Sequence, residues 1–96
     1  MPEIEVSRAA EEQLPMRFHV RVAEDDGSAT EHDVTLSSAD HERLGGGYPS
    51  PEAFIQACLA FLLEREPKES ILRSFDVNRI PTYFPEFNEE ILRDQT

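Results

Sequence analysis

Residues 16–36 read MRFHVRVAEDDGSATEHDVTL, and the fold follows from this stretch. Met16, Phe18, Val20 and Val22 alternate with Arg17, His19 and Arg21, the period of two that marks a strand with one face buried. His32, Val34 and Leu36 then alternate with Glu31, Asp33 and Thr35. Between the runs lies Glu24-Asp25-Asp26-Gly27-Ser28, whose Asp-Gly pair suits a hairpin turn. The stretch therefore predicts a β-hairpin. Its outer face sets Arg17, His19 and Arg21 across from Glu31, Asp33 and Thr35, an arrangement for cross-strand charge pairing. A lone hairpin is only marginally stable in water, so its apolar face needs cover.

That cover is expected downstream. Ser37 or Ser38 can cap a short helix over 39–44, ended by Gly45, Gly46 and Gly47. Ser50-Pro51-Glu52 is a strong helix start, with a hydroxyl cap, proline in the first turn and an acid at the positive end of the dipole. The helix it opens, over 51–65, has Gln56 as its sole polar side chain between 53 and 63. A helix apolar almost all round is covered on several sides, by its own chain or by a partner. Pro67 is expected to open a second helix to about Ser74, with Ile71 and Leu72 facing inward. Phe75 to Ile80 reads as either a third strand or a short helix capped by Asp76. The extended form is favoured, because Pro81 disfavours helical backbone at Ile80. A final helix over 85–93 places Phe87 and Ile91 on one face.

The architecture expected is α+β: an antiparallel hairpin, with room for a third strand, against two to four helices. The domain is placed at 14–96. Residues 1–13, Glu-rich with Ile4 and Val6 as the sizeable apolar side chains after Met1, read as a polar, flexible tail or frayed strand. The chain has 96 residues, enough for one modest core. Leu, Ile, Val and Phe make up a quarter of it, above the roughly 20% below which disorder is the default.

The net charge is −11, from 20 acidic and nine basic side chains. Residues 1–15, 16–36 and 76–96 each carry −3, while the apolar middle, 37–75, is nearly neutral. Such a field repels phosphate, and no basic cluster is present, so neither direct nucleic-acid binding nor adsorption to a membrane is expected. No apolar run reaches the ~18–20 residues of a membrane span, and the first residues lack the regions of an export signal. The single cysteine, Cys58, permits no internal disulfide and points to a reducing cytoplasm.

Catalytic signals are sparse. Cys58 sits among Ala57, Leu59, Ala60 and Phe61 in mid-helix, where burial removes thiol reactivity. By strand parity His19 and His32 lie on opposite faces, and neither they nor His41 stand at a metal-ligand spacing. The acids at 24–26 lack the spacing of a calcium loop. Gly45-Gly46-Gly47 lacks the residues that cradle a phosphate. No catalytic residue, metal or cofactor is therefore assigned. The aromatic side chains are the most suggestive feature, and Tyr48, Tyr83, Phe84 and Phe87 form the candidate interaction patch.

The sequence Leu63-Glu64-Arg65-Glu66-Pro67-Lys68-Glu69-Ser70-Ile71-Leu72, followed by Phe75-Asp76 and Tyr83-Phe84-Pro85, resembles a group of small bacterial proteins. With the hairpin, the resemblance spans about residues 16–92. It implies a bacterial, cytosolic, single-domain protein, and carries over no activity and no residue roles. The reading that results is a non-enzymatic interaction or regulatory module, binding an unidentified protein partner or a second copy of itself as a homodimer. Two alternatives stand beside it. One is an acidic, antitoxin-like or nucleic-acid-mimicking inhibitor of a basic partner, whose binding would weaken steeply with salt. The other is a small enzyme using His19 and Glu31 on the hairpin's outer face.

Overall fold

A computed structural model describes residues 3–10 and 16–93. The hairpin forms as its alternation requires, from β2 (Met16–Ala23) and β3 (Ala29–Leu36). The pairs Phe18–Val34 and Val20–His32 face the core, and Arg17–Thr35, His19–Asp33 and Arg21–Glu31 face outward. The turn is a three-residue loop, Asp25 to Gly27, closed by Glu24 N–H donating to Ser28 O at 2.9 Å and Gly27 N–H to Glu24 O at 3.0 Å. Gly27 has φ +88°, a left-handed conformation that costs an L side chain strain. Asp26 Oδ1 accepts from both the backbone N–H and the hydroxyl of Ser28, which holds its carboxyl below the usual range.

Two strands flank the hairpin. On one side β1 (Glu3–Ala10) runs antiparallel to β2, with Ile4 opposite Val22 and Val6 opposite Val20. Of the two forms expected for this segment, flexible tail or frayed strand, residues 3–10 take the strand; residues 1, 2 and 11–13 lie outside the described part. The physical reason is an alternation hidden by charge. Ile4, Val6 and Arg8 are half-buried on the core side, while Glu3, Glu5 and Ser7 are exposed. Arg8 reaches Glu52 at 2.9 Å and lies 5.8 Å over the Phe18 ring, so its stem joins the packing. On the other side β4 (Ser74–Asp76) pairs parallel with β3, setting Phe75 beside Val34. The sheet is mixed, in the order β1-β2-β3-β4.

The helices cover one face of this sheet. α1 (Ser38–Asp40) is capped by the Ser37 hydroxyl, which accepts from Asp40 N–H, and continues as a π turn, His41–Gly45. A Cβ at Gly45 would stand 3.1 Å from His41 Cδ2 and 3.3 Å from Phe54 Cγ, so the close approach of α2 calls for glycine there. α2 (Pro51–Leu63) starts as its sequence predicts, with Ser50 Oγ accepting from Ala53 N–H at 3.1 Å. Its all-round apolar character has an internal explanation. It packs on the sheet along one side and on α4 (Phe87–Arg93) and the π turn along others, burying Phe54, Ile55, Cys58, Leu59, Phe61 and Leu62. Among the described residues no helix is long and apolar enough to cross a membrane.

Two local expectations are corrected. The helix expected from Pro67 to Ser74 is one 3-10 turn, Lys68–Ser70, after which Ile71 is extended. Ile71 is buried, but Leu72 is 49% exposed, because extended backbone sends adjacent side chains to opposite sides. Phe75 to Ile80 combines both forms considered: β4, then a 3-10 turn, Val77–Arg79, with the Asp76 carboxylate accepting from Asn78 N–H. Ile80 is helical despite Pro81, since it opens α3 (Ile80–Tyr83), where the proline occupies the first turn and lacks only an N–H that would have no partner.

Candidate functional site

Two side chains in the segment after α2 determine how the surface is built. The Arg65 guanidinium stacks on Phe61 at 3.6 Å and bonds Glu86 at 3.1 Å, and also Glu90, fastening α4 to the end of α2. Lys68 is only 3% exposed, covered by Glu24 at 2.6 Å from the hairpin turn and Glu69 at 2.7 Å. Those two carboxylates hold its ammonium pKa above the ordinary value, and Lys68 in turn lowers that of Glu69. The charged stretch after α2 thus clamps the fold at two points.

The same segment borders a groove of about 350 Å³. Leu62, Ile71, Phe75 and Ile80 form its floor, and Leu72 and Phe84 stand along it, with Tyr83 60% exposed at the mouth. The polar side chains on its rim are Glu66, Ser70 and Arg79. Among the described residues three large apolar side chains are exposed, Leu72, Tyr83 and Leu92, and two of them share this groove.

The four aromatic residues singled out from sequence separate here. Tyr83 and Phe84 line the groove together. Tyr48 does not join them; it is half-buried, edge-on to Phe54 at 5.4 Å, and its hydroxyl donates to Ile91 O at 2.8 Å. Phe87 is fully buried, 5.1 Å from Phe61, and so leaves the patch for the core. The groove's other walls escaped the sequence reading. The signal that pointed to them was Ile71-Leu72 following so closely on Pro67: too short a segment for a helix must send one of two adjacent apolar side chains outward.

A second cavity, about 340 Å³, is lined by Thr30, His32, Lys68, Glu69 and Arg73 among others. His32 is 2% exposed, with Nδ1 2.7 Å from Leu72 O and Nε2 2.8 Å from the Thr30 hydroxyl. A carbonyl can only accept, so Nδ1 carries a proton, and in the neutral ring Nε2 then accepts from the Thr30 hydroxyl. Both ring nitrogens are therefore in use. His19 is on the opposite face, as parity requires, with Nε2 2.7 Å from Glu31 and Nδ1 3.3 Å from Asp33. Among the described residues no group of three or more His, Cys, Asp or Glu is placed to hold a metal ion.

The two carboxylates raise the His19 pKa, chiefly through the hydrogen bonds to Glu31 and Asp33. A raised folded-state pKa contributes stability that is present below the unfolded value of about 6.5 and lost as pH rises through the folded value. His19→Gln should therefore be less stable than wild type below about pH 6.5, with the gap closing as pH rises above that value. Because the ring is 42% exposed, solvent screening limits the difference to a few tenths of a kcal/mol, roughly 0.2–1. Urea titrations of both proteins across this range of pH would check it, and a gap that widened with pH would contradict the assignment.

Cys58 is fully buried in α2, and burial pushes its thiol pKa up. Native protein should react with an aromatic disulfide reagent at least roughly a thousandfold more slowly than urea-unfolded protein, since access requires opening of the core. Equal rates would mean that α2 does not bury it. Comparison with protein-family models, with curated proteins and with solved structures gives no match to this chain.

Proposed function

We propose that this chain is a non-enzymatic protein-interaction module that takes an apolar segment of a partner protein into the groove between α2, β4 and α3. The observation that carries this reading is the pairing of Leu72 and Tyr83, both exposed, on the rim of one apolar groove. Large apolar side chains beside a preformed concavity are what a partner's anchor residue buries, and such anchors dominate interface energetics. Other features add support. Arg65 and Lys68, which could otherwise serve a charged ligand, are occupied by carboxylates. The single cysteine suits a reducing compartment such as the cytoplasm.

The alternatives draw less support. On the open sheet face acids alternate with Arg17, His19 and Arg21, and Arg21 lies 3.9 Å from Glu5, so that face is no uniform acidic field for a basic partner. His19 is held between Glu31 and Asp33 and lines neither cavity described.

The test is panning of a random displayed-peptide library on the full chain, with selected peptides then titrated against wild type and Leu72→Asp. Leu72 is half exposed, so its replacement should change stability by about 0.5 kcal/mol or less. Peptides with a large apolar residue should be enriched and should bind the variant at least about tenfold more weakly. No enrichment over bare support, or equal binding to the variant, would overturn the reading. Sedimentation of the free protein at high concentration shows whether the partner is a second copy.

A further inference from the structure

The charges on the groove rim carry a further inference, which rests on the groove being the contact surface. The chain has nine basic side chains. Among the described residues six hold a carboxylate within 4 Å: Arg8, Arg21, Arg43, Arg65, Lys68 and Arg93. Acids outnumber bases by 20 to nine, so carboxylates are plentiful. Arg17, Arg73 and Arg79 have none among the described residues, and of these three only Arg79 lines the groove, where it is exposed. Glu66, half-buried on the same rim, likewise has no side-chain hydrogen bond or ion pair among the described residues, with Arg79 or any other. One small apolar groove is thus bordered by an unneutralised guanidinium and a separate unneutralised carboxylate.

We infer that the occupant is a peptide segment of a partner protein in which a large apolar anchor lies between a basic and an acidic residue, the acid meeting Arg79 and the base meeting Glu66. Docking an apolar anchor strips water from the rim, and a charge left unpaired there opposes binding. A segment carrying both signs satisfies both rim groups, and in one direction only, because reversal sets like charges together. A simple apolar carboxylate would satisfy Arg79 and leave Glu66 desolvated. A phosphate backbone would meet the repulsion of the whole −11 chain. The volume, about 350 Å³, lies near the bottom of the roughly 300–1,000 Å³ range of small-molecule pockets.

The experiment is a charge-reversal cycle on the full chain, using the peptides selected by display. The enriched sequences should place a base and an acid on opposite sides of the apolar anchor. Arg79→Glu should weaken binding by about five- to tenfold at low salt, and changing the peptide's acid to lysine should restore most of it. Glu66→Lys should do the same with the peptide's base changed to glutamate. Both effects should shrink in about 0.5 M salt. Arg79 has no carboxylate partner among the described residues, so its replacement should leave the unfolding curve in place, and matching curves show that the variant is folded.

Enriched peptides that require Leu72 but ignore Arg79→Glu and Glu66→Lys would overturn this inference and leave the interaction reading standing. Peptides that ignore Leu72→Asp would overturn the interaction reading itself. Octanoate binding as tightly as the best peptide, or self-association abolished by Leu72→Asp and displaced by no peptide, would likewise overturn the inference, by showing a small acid or a second copy as the occupant.

Discussion

Replacing Phe87 by alanine should destabilise the protein by about 3–5 kcal/mol, the usual cost of deleting a buried aromatic ring. Phe87 is fully buried and stands edge-on to Phe61 at 5.1 Å, while Phe61 also meets Phe84 at 6.0 Å and carries the Arg65 guanidinium on its face. The ring is therefore the peg by which α4 is held to α2. Its loss leaves a cavity under α4 and breaks an edge-on pair worth about 0.5–1.5 kcal/mol beyond area burial. Domains of this size have roughly 5–15 kcal/mol of stability in all, so the variant would be marginal. Its midpoint should fall by at least about 12 °C. Phe87→Leu keeps most of the volume and should lose less, giving a measurable curve if the alanine variant does not fold. Urea unfolding of the pair checks the expectation. A change below about 1 kcal/mol for Phe87→Ala would mean that Phe87 lies on the surface, as the aromatic patch read from sequence had it.

That contrast shows which parts of the molecule its sequence exposes. The hairpin was legible because burial on one face of a strand imprints a period of two, and Phe18, Val20 and Val22 keep it without interruption. The start of α2 was legible because capping is local chemistry: Ser50, Pro51 and Glu52 need no distant partner to read correctly. β1 was legible only as one of two forms, tail or frayed strand, because Glu3 and Glu5 on its wet face mask the alternation of Ile4 and Val6. The groove was legible only in Tyr83 and Phe84. Which aromatic of the cluster 83–87 turns inward depends on how α4 crosses α2, a relation set by Arg65, Glu86 and Glu90 over more than 20 residues of chain. Leu72 was misread for a related reason. Its direction is set by a hydrogen bond from His32, forty residues away.

Removing that hydrogen bond is the second large effect expected. His32→Ala should cost about 2–4 kcal/mol, combining the lost hydrogen bonds to Leu72 O and the Thr30 hydroxyl with the void left by a buried ring. Thr30→Val removes only the contact to Nε2 and should cost about 1 kcal/mol. The larger consequence lies in the groove. Leu72 O is fixed by His32 Nδ1 at 2.7 Å, and Asp33 N–H donates to Arg73 O at 2.6 Å, so β3 holds the strip of backbone that presents Leu72. With the imidazole gone, amide hydrogens of residues 70–73 should exchange faster by more than the global loss of stability accounts for. Binding of the groove peptides should weaken in step, because ordering the strip is then charged against binding. Hydrogen exchange and peptide titration on His32→Ala and Thr30→Val separate the two contributions. Zinc provides the control: with Nδ1 donating and Nε2 accepting, no lone pair is free for a metal. Adding zinc to the wild type should leave its unfolding midpoint unmoved, and a rise that vanished in His32→Ala would mean that the histidine is a ligand and not a strut.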